Sequence, residues 1–272
     1  MSDTALSSAR ADAAASADAR LTARALSVTV DGARLLDGVD FAARPGELHA
    51  LLGPNGAGKS TLLGALAGDV KPSAGSVSLD GRDLTGWKLR ELARERAVLL
   101  QQHDVYFPFT VRQVIEMGRA PWRGTAAEDD DERLIEEAMQ LTDVSALAER
   151  TVPSLSGGER ARAALARVLA QGASLLMLDE PTAALDLKHQ EDVLRLVRER
   201  ATAGATVIVV VHDLSLAAAY ADRVTLLQHG RVVATGTPGD VLTAERIGEV
   251  YGQPVEVFEH PRTGAPLIVP LR

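Results

Sequence analysis

A glycine-rich loop between a predicted strand and a predicted helix is the feature that most limits how this chain can fold. Residues 47–52 are mostly apolar and predict a strand, and residues 60–67 predict a helix. Between them, Gly53-Pro-Asn-Gly-Ala-Gly-Lys-Ser60 fits the pattern G-x-x-x-x-G-K followed by Ser or Thr. The glycines let backbone N–H groups surround phosphate oxygens at a helix N-terminus. A strand, loop and helix of this kind indicate an α/β fold that binds a nucleoside phosphate.

Continuous apolar segments elsewhere in the chain indicate a parallel sheet. Residues 175–178 and 207–211 predict buried strands, and an amphipathic helix is predicted between them at 187–201. Apolar strands that alternate with helices are typical of a parallel sheet covered on both faces. Before the glycine-rich loop, residues 26–41, which include an Asp-Gly turn, predict an antiparallel hairpin. Helical patterns over 89–171 predict a helical insertion into this α/β core.

Composition excludes several classes of protein. The 272 residues include no cysteine, which excludes disulfide scaffolds, thiolate zinc sites and cysteine nucleophiles. The formal net charge of −8 argues against nucleic acid or an anionic membrane surface as the main partner. No apolar run approaches the ~20 residues of a membrane-spanning helix. Residues 1–20 lack the pattern of a signal peptide, so we expect a mobile tail and a soluble, cytoplasmic protein.

Charged residues at the ends of the predicted strands point to phosphoryl chemistry. Lys59 is expected to reach the β- and γ-phosphates, and the Ser60 hydroxyl is expected to bind Mg²⁺. Asp179 ends a predicted strand beside the glycine-rich loop, where a carboxylate can also hold Mg²⁺. Glu180, the next residue, is placed to orient or deprotonate the attacking water. His212 ends a neighbouring predicted strand, from which it could touch the γ-phosphate.

A second candidate anion site lies at residues 155–159, with the sequence Leu-Ser-Gly-Gly-Glu. It precedes a predicted helix, so the Ser156 hydroxyl and the N–H groups of Gly157 and Gly158 form a second cradle at a helix N-terminus. A chain that binds one nucleotide needs only one cradle, whereas two chains packed head to tail use both. We therefore expect a homodimer in which each cradle closes over the γ-phosphate bound by the other chain.

Together these motifs resemble the ATP-binding subunits of ABC transporters, and the resemblance covers about residues 24–270. The resemblance implies a P-loop NTPase with a RecA-like α/β core, an N-terminal antiparallel β subdomain and an inserted helical subdomain. It implies ATP and Mg²⁺ as cofactors. It also implies a glutamine that senses Mg²⁺ and the membrane subunit after the strand at 97–100. Gln101 and Gln102 both qualify, and Gln101 is favoured because it directly follows the strand.

The resemblance assigns site residues position by position. The catalytic residues are Lys59, Gln101, Glu180 and His212, and the metal ligands are Ser60, Gln101 and Asp179. The nucleotide-binding residues lie in the phosphate loop, in the signature at 155–159 and in the loop that crosses the dimer interface. They are Gly53, Pro54, Asn55, Gly56, Ala57, Gly58, Lys59, Ser60, Thr61, Ser156, Gly157, Gly158 and Asp186.

The expected domain boundaries follow from the same comparison of motifs. Residues 1–21 are expected to be a disordered tail, and 22–272 to form one ABC-type ATP-binding domain. Within it, the RecA-like core covers about 22–95 and 160–240, the helical insertion about 96–159 and a C-terminal extension 241–272.

Four segments resemble the hemin-import ATP-binding subunits of the iron-chelate and cobalamin importer group; they are residues 96–101, 107–111, 117–121 and 250–270. This resemblance implies heme as cargo, two integral membrane permease subunits and, indirectly, a periplasmic or lipoprotein heme-binding protein. It implies no nucleic acid and a peripheral position on the cytoplasmic face of the membrane.

Other functions stay open at this point. An importer of iron-siderophores or cobalamin would keep the same fold and change only the cargo. A soluble ABC ATPase that acts on DNA or the ribosome usually carries two cassettes or a long coiled-coil insertion, and this chain has neither. A non-enzymatic regulatory module is disfavoured because Lys59, Glu180 and His212 are all intact.

Three further expectations concern single residues and one surface. Val30 stands where the family usually stacks adenine on an aromatic ring. Residues 107–111 include two phenylalanines that flank a proline, and we expect this segment to be an exposed docking patch for a membrane subunit. The scattered residues His103, His189 and His229 are expected to be surface or core side chains rather than heme ligands.

Overall fold

Six strands form the central sheet of the computed structural model, which describes residues 18–100 and 108–272. The strands are β3 (Leu48–Leu52), β6 (Arg96–Leu99), β7 (Leu175–Asp179), β8 (Thr206–Val210), β9 (Arg223–Gln228) and β10 (Arg231–Gly236). Their order is β10-β9-β3-β8-β7-β6, and every neighbouring pair is parallel except β9 and β10. The carboxyl ends of β3, β7 and β8 therefore meet at one edge of the sheet.

The three central strands are buried along their whole length, as their continuous apolar sequences predict. Successive side chains point to opposite faces of a strand. Leu51 and Ile208 accordingly join one hydrophobic cluster, whereas Ala50 and Val209 join another on the opposite face. The sheet is thus the shared wall between two cores, and its strand ends are held rigidly.

Helices cover both faces of this sheet. They are α1 (Lys59–Ala67), α2 (Leu89–Glu95), α3 (Val111–Glu116), α4 (Asp131–Leu141), α5 (Gly157–Ala170), α6 (Leu187–Thr202), α7 (Leu214–Tyr220), α8 (Pro238–Val241) and α9 (Ala244–Tyr251). Helix α1 packs with the cluster that contains Leu51, whereas α3 to α9 contribute to the other cluster. None of the helices in the described ranges is long and apolar enough to cross a membrane.

A four-stranded antiparallel sheet packs beside α1. Its strands are β1 (Leu21–Val30), β2 (Ala33–Ala43), β4 (Ala74–Leu79) and β5 (Arg82–Asp83), in the order β2-β1-β4-β5. The predicted hairpin is confirmed, with Asp31 and Gly32 both at positive φ in the turn. The expected tail reached residue 21, but Leu21 already pairs with Ala43 and Leu79 and is fully buried. Strand β1 therefore begins at the last residue of the expected tail.

The helical subdomain follows β6 and ends where α5 begins. Its expected first boundary at residue 96 falls inside the central sheet, because β6 starts at Arg96 and pairs with β7. Ala97 and Leu99 are buried there, which explains why this apolar segment forms a core strand. The rest of the expected architecture is confirmed: a P-loop α/β core, an antiparallel β subdomain and an inserted helical subdomain.

The chain ends in an antiparallel hairpin, β11 (Val255–Glu259) with β12 (Pro266–Pro270). The backbone N–H of Ile268 donates to the Ser215 hydroxyl at 3.2 Å, which joins the hairpin to α7. Helix α9 lies just before the hairpin and belongs to the same extension of the core.

Candidate active site

The glycine-rich loop runs from the end of β3 to the start of α1, and two of its glycines have no room for a side chain. Gly53 has a φ of 145°, and a Cβ there would lie 2.3 Å from the carbonyl oxygen of Leu227. Gly58 has a φ of 100°, and a Cβ there would lie 2.9 Å from the carbonyl oxygen of Leu35. Both positions therefore require glycine, which lets the backbone form the tight turn expected of a phosphate loop.

Lys59 is buried within this loop, with only 6% of the residue exposed. Its Nζ donates to the carbonyl oxygens of Gly53 at 2.8 Å and Pro54 at 3.1 Å. Burial lowers the pKa of Lys59, while the nearby carboxylates of Glu180 and Asp179 act to raise it. The ammonium group is therefore held inside the loop, where a phosphate group would replace the carbonyl oxygens as its partner.

Asp179 ends β7 next to the start of α1. It is only 4% exposed, and its Oδ1 is buried without a hydrogen-bond partner in the described chain. Burial raises the pKa of Asp179, whereas a hydrogen bond from the Ser60 side chain acts to lower it. A buried, unpaired carboxylate oxygen beside a hydroxyl is the hard-oxygen environment that Mg²⁺ prefers. Ser60 and Asp179 thus fit the predicted metal site.

Glu180 and His212 form the opposite side of the site. Nε2 of His212 lies 2.5 Å from Oε1 of Glu180, and the side chains are 46% and 9% exposed respectively. Glu180 has a φ of 52°, a left-handed conformation that costs a non-glycine residue about 1–3 kcal/mol. Its N–H donates to the carbonyl oxygen of Val210 at 3.2 Å. The backbone therefore holds the Glu180 carboxylate toward the neighbouring strand end.

The structure brings together the residues predicted at the strand ends. Lys59, Ser60, Asp179, Glu180 and His212 lie around one edge of the sheet, and electrostatic or hydrogen-bond contacts connect them. Both candidate glutamines, Gln101 and Gln102, lie outside the described residues, as do His103 and Phe107. Their predicted roles stay predictions.

The signature residues form a separate surface. Ser156 caps α5: its hydroxyl accepts from the N–H of Glu159 at 3.3 Å, and its own N–H donates to the Glu159 carboxylate at 2.8 Å. A Cβ on Gly158 would lie 3.3 Å from the carbonyl oxygen of Ala184. Across residues 18–100 and 108–272, no hydrogen bond joins Ser156 or the two glycines to the phosphate loop. Their predicted contact with the nucleotide of a second chain stays a prediction.

Asp186 caps α6 and has a partner that the sequence did not reveal. Its Oδ1 accepts from the N–H of His189 at 3.0 Å and lies 2.7 Å from Nδ1 of the same residue. The hydrogen bonds from His189 lower the pKa of Asp186. Asp186 and His189 are three residues apart at the start of a helix, and this spacing is the sequence pattern that could have predicted their hydrogen bond. His229, by contrast, lies exposed in the turn between β9 and β10.

Tyr251 is a second residue near the site that the sequence did not indicate. It is the last residue of α9, and burial raises the pKa of Tyr251 to about 12, whereas the backbone of Gly53 acts to lower it. The two residues are far apart in the chain, so no local pattern could have indicated this influence.

The expected docking patch at 107–111 is partly wrong. Phe109 is 37% exposed, but Val111 is completely buried in the core of the helical subdomain. Val111 is the first residue of α3, and its side chain packs inward because Thr110 caps that helix and fixes its direction. Val30, at the end of β1, is 48% exposed.

Comparison with known proteins gives matches along most of the chain. A family model described as ABC transporter matches residues 36–183. A hemin import ATP-binding protein from Streptomyces coelicolor is 59% identical and covers 95% of this chain and 92% of its own length. A protein of the same description from Nocardia farcinica is 61% identical and covers 88% of this chain and 83% of its own.

Solved structures are similar over the same region. An ABC transporter assigned to the metal-chelate type, in an inward-facing conformation, has a TM-score of 0.78 at 26% identity and covers 93% of this chain and 98% of that one. A dimeric ATP-binding cassette in a post-hydrolysis state, bound to ADP and phosphate, has a TM-score of 0.72 at 26% identity. It covers 80% of this chain and 98% of its own.

Proposed function

This chain belongs to the ABC transporter family, and we propose that it is the ATP-hydrolysing subunit of a membrane importer for heme. The observation that carries the proposal is the meeting of Lys59, Asp179, Glu180 and His212 at one sheet edge. The cargo is inferred from relatives named for hemin import, which are 59% and 61% identical.

The phosphate loop and Lys59 would bind the triphosphate of ATP. Backbone N–H groups at the start of α1 and the Lys59 ammonium provide positive charge for the β- and γ-phosphates. Bound Mg²⁺ would supply further charge that stabilises the transferred phosphoryl group. The Ser60 hydroxyl and the unpaired Oδ1 of Asp179 are the described atoms that would hold the ion. Gln101 is the further ligand that we propose.

Glu180 and His212 would carry out the hydrolytic step. The two side chains contact each other. His212 would donate a hydrogen bond to the γ-phosphate, and the Glu180 carboxylate would accept one from the attacking water. The water is thereby oriented in line with the leaving group, while the fixed charges of the loop stabilise the transition state.

A second copy of the chain would complete each site. Ser156, Gly157 and Gly158 lie away from the phosphate loop of their own chain and present a helix N-terminus to a partner. The dimeric cassette bound to ADP and phosphate supports this arrangement. ATP would hold the two chains together, and hydrolysis would release them, which couples the chemistry to the motion of two permease subunits.

The ATPase would act on the cytoplasmic face of the membrane as a peripheral subunit. A heme-binding protein outside the membrane would deliver cargo to the permease without contact with this chain. An importer of another metal chelate or of cobalamin is the second candidate, because the structural likeness to a metal-chelate transporter extends over 93% of the chain.

Reconstitution tests the cargo and the enzyme together. The chain would be purified with the permease of its transporter and placed in proteoliposomes that contain ATP, with the binding protein and heme outside. We expect uptake of heme that requires ATP and is lost in Glu180→Gln. The same vesicles would be offered cobalamin and a ferric siderophore. Transport of either compound in preference to heme would overturn the cargo, and failure to hydrolyse ATP would overturn the enzyme.

A further inference from the structure

A short loop connects Glu180, the proposed base, with Asp186, the residue that caps α6; we call residues 180–186 the interface loop. Two backbone hydrogen bonds turn it. The N–H of Ala183 donates to the carbonyl oxygen of Glu180 at 3.2 Å, and the N–H of Leu185 donates to that of Thr182 at 3.1 Å. Both ends of the interface loop belong to the proposed mechanism, so the shape of the loop sets their separation.

Gln190, in the first turn of α6, reaches back to the interface loop. Its Nε2 donates to the carbonyl oxygen of Leu185 at 3.0 Å and to that of Thr182 at 3.3 Å. A glutamine amide has two N–H donors, and these two bonds use both. The preceding residue, His189, holds the end of the loop, because its Nδ1 lies 2.7 Å from Oδ1 of Asp186. The first turn of α6 therefore fixes the loop at three points.

The part of the interface loop that Gln190 holds is buried beside the signature. Thr182 and Leu185 are only 7% and 8% exposed. A Cβ on Gly158 would lie 3.6 Å from Cδ2 of Leu185, which is ordinary van der Waals contact. Removal of the Gln190 amide would therefore let the loop move against the signature, and its first residue, Glu180, would move with it.

We propose that Gln190 is a positioning residue for hydrolysis, because its amide holds the interface loop in the shape that places Glu180 and Asp186. The proposal deepens the proposed function, since it rests on Glu180 as the base for ATP hydrolysis. Gln190 acts through the loop and not on the nucleotide itself. The phosphate loop is built from the end of β3 and the start of α1. Loss of Gln190 should therefore slow the chemical step more than it weakens binding of ATP.

Gln190→Glu is the sharpest test, because it keeps the shape of the side chain and replaces both donors with carboxylate oxygens. These oxygens would face the carbonyl oxygens of Thr182 and Leu185 and repel them. A single hydrogen bond of this kind corresponds to roughly three- to tenfold in a rate. We expect kcat to fall by at least about tenfold, while the Kd for ATP, measured in EDTA so that no hydrolysis occurs, stays within about twofold.

Gln190→Leu is the second variant, because it removes the donors without adding a charge. Its kcat should fall by roughly three- to tenfold, again with little change in the Kd for ATP. Both variants are assayed well below their melting temperatures. If kcat is unchanged in both, or if the Kd for ATP rises by the same factor as kcat falls, the proposal is overturned.

Gln253 provides the matched control. Its Nε2 also donates to two carbonyl oxygens, those of Pro254 at 3.1 Å and Leu271 at 2.8 Å, but in the C-terminal extension. Gln253→Glu and Gln253→Leu should keep the kcat of the wild type. If they lower kcat as much as the same substitutions at Gln190, the role of Gln190 is not specific and the proposal fails.

The wild-type chain is assayed in parallel to separate this proposal from the proposed function. If the wild type does not hydrolyse ATP, the proposed function fails. If the wild type hydrolyses ATP and both Gln190 variants do so at the same rate, only the role of Gln190 is defeated.

Discussion

The His212 imidazole lies against the Glu180 carboxylate across the ends of two adjacent parallel strands, with 2.5 Å between Nε2 and Oε1. The proposed base for hydrolysis therefore lies in contact with the residue that we propose touches the γ-phosphate. Under the proposed mechanism, a γ-phosphate that attracts His212 would also change the surroundings of the Glu180 carboxylate. The two residues would then act as one functional unit.

Glu180→Gln should keep ATP binding but reduce turnover by at least about a hundredfold, because the amide has the same shape and cannot accept a proton. The variant should collect as an ATP-bound dimer on a sizing column. Glu256→Gln, an exposed substitution of the same kind on β11, serves as the control with normal activity. If Glu180→Gln hydrolyses ATP at the wild-type rate, the assignment of Glu180 as the catalytic base is wrong.

Adding His212→Ala to Glu180→Gln should cost little more than either change alone, because residues that act as one unit have non-additive effects on kcat. Fully additive losses would show that the two side chains work independently.

Asp179→Asn should stabilise the nucleotide-free protein while it removes Mg²⁺-dependent hydrolysis. Burial raises the pKa of Asp179, so the folded state holds this proton more tightly than the unfolded state does. Its contribution to stability is present below the unfolded pKa and is lost as pH rises through the folded pKa. At pH 7 the ionised carboxylate is therefore unfavourable, and the amide should raise the melting temperature by about 2–4 °C.

Differential scanning calorimetry at pH 7 and near pH 3 measures the effect, and the gain should shrink at the lower pH. If Asp179→Asn melts at the same temperature as the wild type at pH 7, the prediction is wrong. It is also wrong if Mg²⁺ with ATP raises the melting temperature of the variant as much as that of the wild type.

Phe109→Ala should uncouple heme uptake in reconstituted vesicles and leave the basal ATPase activity of the isolated subunit largely intact. Phe109 is 37% exposed, which suits a contact with a permease helix. Val111→Ala is the comparison, because Val111 is fully buried and its truncation should lower thermal stability instead. Loss of basal hydrolysis or unfolding in Phe109→Ala would place that ring in the core and end the docking hypothesis.

Val30→Tyr should tighten ATP binding by roughly 1 kcal/mol, or about fivefold, because an aromatic ring can stack on adenine. Val30 is 48% exposed, so there is space for the larger side chain. The wild type should discriminate only weakly between ATP and GTP in a competition assay with a fluorescent nucleotide. A strong preference for ATP in the wild type, or no gain from the substitution, would mean that another side chain already covers the base.

Local patterns predicted the parts of the site that a few neighbouring residues determine. The phosphate loop follows from one strand, one turn and one helix, and Asp179 and His212 were predictable because parallel strands end at a common edge. The position of Tyr251 was not predictable, since only the packing of α9 against the core creates it. The inward direction of the Val111 side chain was likewise not predictable, because it depends on how α3 is capped and packed.

Gly158 lies beside Ala184, and this packing would link the two nucleotide sites of a dimer. Ala183 donates its N–H to the carbonyl of Glu180 at 3.2 Å, and a Cβ on Gly158 would lie 3.3 Å from the carbonyl oxygen of the next residue, Ala184. In the head-to-tail pair that we propose, Glu180 would serve one nucleotide while Gly158 of the same chain would cover the other. A displacement at either residue would then reach the other through a few backbone atoms, so the two nucleotide sites would be mechanically coupled.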